Sequence, residues 1–293
     1  MTGELSVESV QAALAEHDYL ADEGLATAVF LALQLRRPLL LEGEAGVGKT
    51  EVAKALSRWT GGELLRLQCY EGIDVAQAVY EWDYARQLLH LRAAEGRGAE
   101  VEDELYSERF LVRRPLLQAI AHAGDGPPPV LLVDELDRAD DEFEAFLLEI
   151  LSEYTVTVPE LGTFRAIVAP VVVVTSNRTR DLHDALKRRC LYHWVDHPDL
   201  EREVAIVQRR APGVGKALAR QVAVTVGRLR DLGLYKPPGV AETIDWAQSL
   251  AALGREVLDP ATAEATLGTV LKYREDQQRA RAVGLGELLA EVR

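Results

Sequence analysis

The stretch Pro38 to Thr50, PLLLEGEAGVGKT, decides how the rest of the chain reads. An apolar run hands over to a turn that fits G-x-x-x-x-G-K-[ST], the pattern of a loop that wraps phosphate groups. Glycines let the backbone fold back so that successive N–H groups face an anion, and a helix starting near Lys49 adds the positive end of its dipole. The pattern predicts that Gly43, Glu44, Ala45, Gly46, Val47, Gly48, Lys49, Thr50 and Glu51 cradle the phosphates of a nucleoside triphosphate. Lys49 would reach the β and γ phosphates, and Thr50 would hold Mg²⁺. A glycine-rich turn without a ligand is the competing reading. Context weakens it, because Leu39-Leu40-Leu41 reads as a buried strand and Glu51 to Trp59 as an amphipathic helix.

Composition narrows the class. At 293 residues and 48% hydrophobic content, the chain has material for one large and one small domain, each with a core. No apolar run approaches the roughly 20 residues that span a bilayer, and MTGELSVESVQ lacks a basic region followed by an apolar one. A cytoplasmic protein without a membrane span is expected. Cys69 and Cys190 have no metal-ligand spacing and read as reduced structural thiols. A net charge of −14 opposes holding nucleic acid by charge neutralisation, so no nucleic-acid partner is expected.

Two helices, Val7 to Glu16 and Glu23 to Leu35, are expected before the loop. A short strand over Glu63 to Cys69 follows it, then a helix over Asp74 to Leu91, an acidic loop from Ala93 to Glu104 and a helix from Pro115 to Ala123. Val130-Leu131-Leu132-Val133-Asp134-Glu135 is an apolar strand ending in two carboxylates. Behind a phosphate loop, Asp134 is placed to join Thr50 around Mg²⁺, and Glu135 to act as general base on a water. An acidic helix cap, which Asp137, Asp140 and Asp141 could equally supply, is the alternative. Asp141 to Glu153 reads as a helix, and the segments around Pro159 to Gly162 as a hairpin. The buried strand Pro170 to Asn177 ends in an amide that can bind the attacking water or the γ-phosphate, although Asn also simply ends strands. Arg188 and Arg189 follow a short helix, where a guanidinium could reach a neighbour's γ-phosphate or merely complement the helix dipole. His193 and His197 read as structural. From Asp199 the pattern is helical only, over Asp199 to Arg209, Lys216 to Asp231, Glu242 to Leu253 and Asp259 to Arg281.

This order of motifs resembles the AAA+ ATPases, and LLLEGEAGVGKT, LLVDELDRADDEFEAFLLEILSEYTVTV and VVVVTSN look like the MoxR branch. DALKRRCLYHWVDHP resembles the subgroup encoded beside molybdenum-containing carbon monoxide dehydrogenases. The change to helices alone sets a domain boundary near Pro198, and the resemblance implies an α/β fold, with a three-layer αβα core on a parallel sheet over residues 1–198 and a small all-helical lid over 199–293. Within the core it implies a helix-2 insertion at about 72–108 and a pre-sensor-1 hairpin at about 154–167. It makes Lys49 and Thr50 the Walker A residues, Asp134 and Glu135 the Walker B pair, and Asn177 sensor 1. Arg189 becomes the arginine finger, with Arg188 a candidate for the same role. Relatives carry a lid arginine where this chain has Pro237-Pro238-Gly239-Val240-Ala241-Glu242.

The activity implied is Mg-ATP-dependent remodelling by a self-assembled ring, a hexamer. The partners implied are a von Willebrand factor A type protein and a client metalloenzyme, a molybdenum hydroxylase such as carbon monoxide dehydrogenase. A nucleotide-dependent scaffold with little hydrolysis is the second reading, and a nucleic-acid motor the third.

Overall fold

A computed structural model describes residues 5–93 and 104–289. It separates into two compact units. The first comprises the chain up to His17, Ala21–Glu42 and Thr50–Trp194; the second comprises Asp18–Leu20, Gly43–Lys49 and the chain from Val195 onward.

The first unit is built on strands β1 (Leu39–Glu42), β2 (Leu64–Gln68), β5 (Val130–Asp134), β8 (Val171–Ser176) and β9 (Leu191–Trp194). They form one sheet in the order β2-β5-β8-β1-β9, and every pairing is parallel. A parallel sheet covered on both faces needs continuous apolar strands, and the central strands supply them. Every residue of β1 and β5 is buried. Edge strand β2 instead alternates, with Leu65 and Leu67 buried and Arg66 exposed. The register aligns the polar ends of the strands: Gln68 lies opposite Asp134, and Glu42 opposite Ser176 and Trp194.

Helices α1 (Val7–Glu16), α2 (Glu23–Leu35) and α3 (Lys49–Thr60) belong to the N-terminal half. Ser6 caps α1 and Asp22 caps α2, each accepting a backbone N–H from the first turn. Between β2 and β5, the single helix expected over Asp74 to Leu91 is broken. The chain forms α4 (Val75–Ala78), then β3 (Tyr80–Trp82), then α5 (Tyr84–Ala93). Strand β3 pairs antiparallel with β4 (Leu111–Arg113). Trp82 is buried there and meets Tyr80 and Tyr106 edge-on. These aromatics suit a pleated, half-buried surface better than a helix, and a cross-strand partner decided between the two. Most of the acidic loop lies outside the described residues.

Helix α6 (Pro115–Ile120) stops three residues before the expected end. Helix α7 (Asp141–Glu153) is capped by Asp140, which accepts the Phe143 N–H at 2.8 Å, and buries Phe143, Leu147, Ile150 and Leu151. Strands β6 (Thr155–Val158) and β7 (Gly162–Arg165) form the hairpin, and α8 (Asp184–Arg189) precedes β9.

The second unit is helical: α9 (Leu200–Arg210), α10 (Lys216–Asp231), α11 (Val240–Ala252), α12 (Pro260–Val270), α13 (Arg274–Val283) and α14 (Leu285–Leu289). The helix expected over Asp259 to Arg281 is therefore two, because Leu271 turns extended and buries while Gln277 bonds back to its carbonyl at 2.9 Å. Trp246 anchors the core, donating its indole N–H to Thr266 Oγ1 at 2.8 Å. A largely buried ion pair also braces the unit, with Glu203 buried and Arg230 12% exposed. Arg230 Nη1 and Nη2 meet the two Glu203 carboxylate oxygens at 2.8 and 2.7 Å, Thr243 Oγ1 donates to Glu203 at 2.7 Å, and Arg230 Nε donates to the Pro238 carbonyl at 2.8 Å.

Candidate nucleotide site

In the first unit, polar side chains converge where β5 and β8 end. Asp134 is the last residue of β5, with 2% exposure. Its Oδ1 accepts Thr50 Oγ1 at 3.0 Å and Thr175 Oγ1 at 2.6 Å; its Oδ2 accepts Arg66 Nε at 3.0 Å and Nη2 at 2.6 Å. Thr50 and Asp134, named from the sequence as a metal-holding pair, therefore stand side by side. Two hard oxygen donors fit Mg²⁺, which keeps several waters and takes its remaining ligands from phosphate. Among the described residues, no group of three or more His, Cys, Asp or Glu could hold a different metal.

Glu135 sits in the left-handed region at φ 55°. Its N–H donates to Thr175 Oγ1 at 2.9 Å, so one threonine joins both acidic residues. The Glu135 carboxylate receives three donors: Gln68 Nε2 at 3.1 Å and Arg138 Nε at 2.9 Å on Oε2, and Asn177 Nδ2 at 3.3 Å on Oε1. The structure thus brings Glu135 and Asn177 together.

Asp137 does not cap the next helix; Asp140 does. Asp137 lies in a 3-10 turn, Leu136–Arg138, and is buried. It accepts the Asn177 N–H at 3.1 Å, the Thr179 N–H at 2.9 Å and Thr179 Oγ1 at 2.7 Å. Burial pushes its carboxyl up, but these bonds to the charged form outweigh it, and the group ends below its ordinary value. Asp137 thereby fixes the backbone from which Asn177 reaches Glu135. Cys69, whose N–H bonds to the Asp134 carbonyl at 2.8 Å, is pushed up to about 12 by burial, with the neighbouring carboxylates adding to the shift. That thiol is unreactive at neutral pH.

Arg188 and Arg189 stand exposed at the end of α8. Arg37 holds that turn, donating to the Arg188 carbonyl at 2.8 Å and the Arg189 carbonyl at 3.1 Å, and the Arg189 guanidinium lies 3.4 Å from the Leu148 carbonyl. Neither arginine joins the hydrogen bonds around Asp134 and Glu135. Glu51, in the first turn of α3, pairs with Lys54 at 2.6 Å.

The loop Gly43–Lys49 groups with the second unit. The Gly46 carbonyl accepts the N–H groups of Val240 and Ala241, at 3.0 and 3.3 Å, from the first turn of α11. Gly239 lies so close that a Cβ there would stand 2.7 Å from Gly46 Cα and 2.8 Å from the Ala45 carbonyl oxygen. Lys49 is buried, with Nζ donating to the Gly43 carbonyl at 2.7 Å and the Glu44 carbonyl at 2.6 Å. His197 Nε2 lies 3.1 Å from Glu44 Oε2. A cavity of about 300 Å³ beside the loop is lined by Ala45, Lys236, Pro238, Glu242, Lys272 and Tyr273, among others.

Arg66, Gln68, Thr175, Asp137 and Gly239 were not singled out from the sequence for these roles. Arg66 and Gln68 carried a faint signal, as polar residues two apart in an otherwise apolar strand. The others come together only through tertiary structure.

Solved structures of similar shape include a protein from Cytophaga hutchinsonii provisionally described as an ATPase, 14% identical over 99% of both chains with a TM-score of 0.42. Two variants of Thermotoga maritima RuvB, 14% and 15% identical, cover 94% of this chain and 73% and 74% of their own, with TM-scores of 0.48 and 0.49. The sequence model of the AAA domain, dynein-related subfamily, matches residues 38–190. That match starts at the phosphate loop's strand, takes in Asp134, Glu135 and Asn177, and spans just over half of the chain. The protein is accordingly a member of the AAA family, in its dynein-related subfamily.

Proposed function

We propose that the chain hydrolyses ATP with Mg²⁺ and uses the cycle to remodel a client protein. The observation that carries this reading is the network joining Thr50, Asp134, Thr175, Glu135 and Asn177. Gly43 to Lys49 wrap the phosphates, with Lys49 moving from the Gly43 and Glu44 carbonyls to the β and γ oxygens. Thr50 and Asp134 hold Mg²⁺, which neutralises phosphate charge when bound. Glu135 takes the proton from the attacking water, and Asn177 orients that water against the γ-phosphate. Arg189, or Arg188 beside it, is offered to the nucleotide of a neighbouring copy.

Rings are typical of AAA proteins, and a hexamer is the proposed size here. The text around Asp134 to Val158 and Asp184 to Pro198 supports the MoxR branch, a von Willebrand factor A type partner and a metalloenzyme client such as a molybdenum hydroxylase. In this reading residues 1–198 are the nucleotide-binding part and 199–293 the lid. Two cations, Lys236 and Lys272, line the cavity beside Ala45.

Turnover of labelled ATP by the purified chain tests the reading. Glu135→Gln should retain ATP without hydrolysing it, Lys49→Ala should lose binding, and Arg189→Ala should bind but turn over slowly at every protein concentration. Full turnover by Glu135→Gln or Lys49→Ala would remove the proposed site. A second reading, an ATP-dependent scaffold with little hydrolysis, is favoured by the three donors already on the Glu135 carboxylate. Bound ATP with no turnover at any protein concentration would select it.

A further inference from the structure

Taking Thr50 and Asp134 as the metal-holding pair, as proposed above, we infer that Arg66 is a tethered cation that competes with Mg²⁺ for Asp134. It thereby sets the Mg²⁺ concentration at which the site assembles. Strand β2 is an edge, and its alternation puts Leu65 and Leu67 into the core and leaves Arg66 on the other side with 51% of its side chain exposed. Gln68 pairs across the ladder with Asp134, so Arg66 is one pleat back and reaches forward along the strand to Oδ2.

A carboxylate offers about four lone-pair positions. Those of Asp134 are taken by Thr50, Thr175 and the two Arg66 nitrogens. The three partners differ in how readily they give way. Thr50 can bind a metal through its oxygen lone pair and still donate its proton to Asp134. Thr175 is buried and also accepts the Glu135 N–H, so releasing it would orphan polar groups in the interior. Arg66 is half in water, and its guanidinium can return to solvent at little cost. The replaceable donor is the one that carries a positive charge, and like charges repel at the place a divalent ion must approach.

Displacement would also be felt at Glu135. Arg66 Nη2 donates to Gln68 Oε1 at 2.5 Å while Gln68 Nε2 donates to Glu135 Oε2, so Asp134, Arg66, Gln68 and Glu135 form one chain. Moving Arg66 removes the bond that holds the Gln68 amide in place, loosening one of the three donors on the proposed base. Arg66 is a positioning residue in this scheme and touches no substrate.

The test uses the full chain and a fluorescent ATP analogue, with binding followed by anisotropy as MgCl₂ is raised. Arg66→Ala should lower the half-saturating Mg²⁺ concentration about fivefold, equivalent to ~1 kcal/mol. Arg66→Lys, which keeps the charge but loses the paired donors, should fall between it and the unaltered chain. Mn²⁺, which takes the same oxygen ligands, gives a second readout through the paramagnetic resonance signal of the free ion, and its affinity should rise in the same order. If Arg66→Ala fails to fold, Arg66→Lys decides alone. An unchanged or higher Mg²⁺ requirement in the folded variants, with the analogue still bound, would overturn the competition while leaving the metal pair standing. Analogue binding indifferent to Mg²⁺ and Mn²⁺ in the unaltered chain would overturn both.

Discussion

Replacing Arg230 by Ala should be among the most damaging single changes to the helical unit. The side chain is only 12% exposed and its partner Glu203 only 3%. Arg230 supplies two of the bonds to that carboxylate and a third to the Pro238 carbonyl. Removing it leaves the nearly buried Glu203 carboxylate with the Thr243 hydroxyl and without its countercharge. Breaking one side of a buried pair costs about 3–5 kcal/mol, most of it from the stranded charge and not from the lost attraction. For a unit of roughly 100 residues, at about 4 °C or more per kcal/mol, its melting transition should fall by at least ~12 °C. Calorimetry or helical circular dichroism would follow this, fitting the two units' transitions separately. The double variant Arg230→Met with Glu203→Leu supplies the control, because it removes the charge together with its partner and should recover most of the loss. A single variant within 1 kcal/mol of the original would refute the reasoning, and so would a double variant as unstable as the single one.

Other outcomes follow from the site. Asp137 has a lowered folded pKa, so its stabilisation is complete above the ordinary value of 3.8 and is lost as pH falls below it toward the folded value. Asp137→Asn should flatten that acid limb of a urea stability profile and lower stability at pH 7 by about 1–3 kcal/mol. Cys69 and Cys190 are both buried, with thiols pushed up to about 12 by burial. Neither should react with a thiol reagent at pH 8 until denaturant is added, whereas rapid labelling of the native chain would contradict their placement. Gly239→Ala must move the backbone at Ala45 and Gly46. It should cost about 1–3 kcal/mol of the helical unit's stability and weaken nucleotide binding, both measurable on one preparation.

The features legible in the sequence are those whose chemistry is local. Gly43 to Thr50 carries its own turn, and Val130 to Glu135 carries its own strand and carboxylates, so their pairing across the fold could be foreseen. The order β2-β5-β8-β1-β9 is what brings Arg66 and Gln68 to Asp134 and Glu135, and no short window encodes which strand becomes an edge. Thr175 was hidden for the same reason, since a threonine in a run of valines looks like ordinary strand filler. The two misjudged helices share a cause. Helical spacing over Asp74 to Leu91 ignored the partner strand at Leu111–Arg113, and over Asp259 to Arg281 it ignored the pull of the core on Leu271. In each case a distant contact overrode a local preference. Asp137, Asp140 and Asp141 are equal candidates for the helix cap in the sequence, and only the fold separates Asp140, which caps, from Asp137, because a carboxylate that caps a helix and one that braces a loop have the same local signature.

The left-handed backbone at Glu135 has a consequence for how this protein can be improved. A residue with a Cβ pays about 1–2 kcal/mol for that conformation, and glycine does not. Glu135→Gly would relieve that strain, but it would also take the acceptor away from Gln68, Arg138 and Asn177 and add the freedom of a glycine to the unfolded chain. Stability and turnover therefore favour the same residue, and a screen for heat resistance alone should keep the glutamate in its strained backbone.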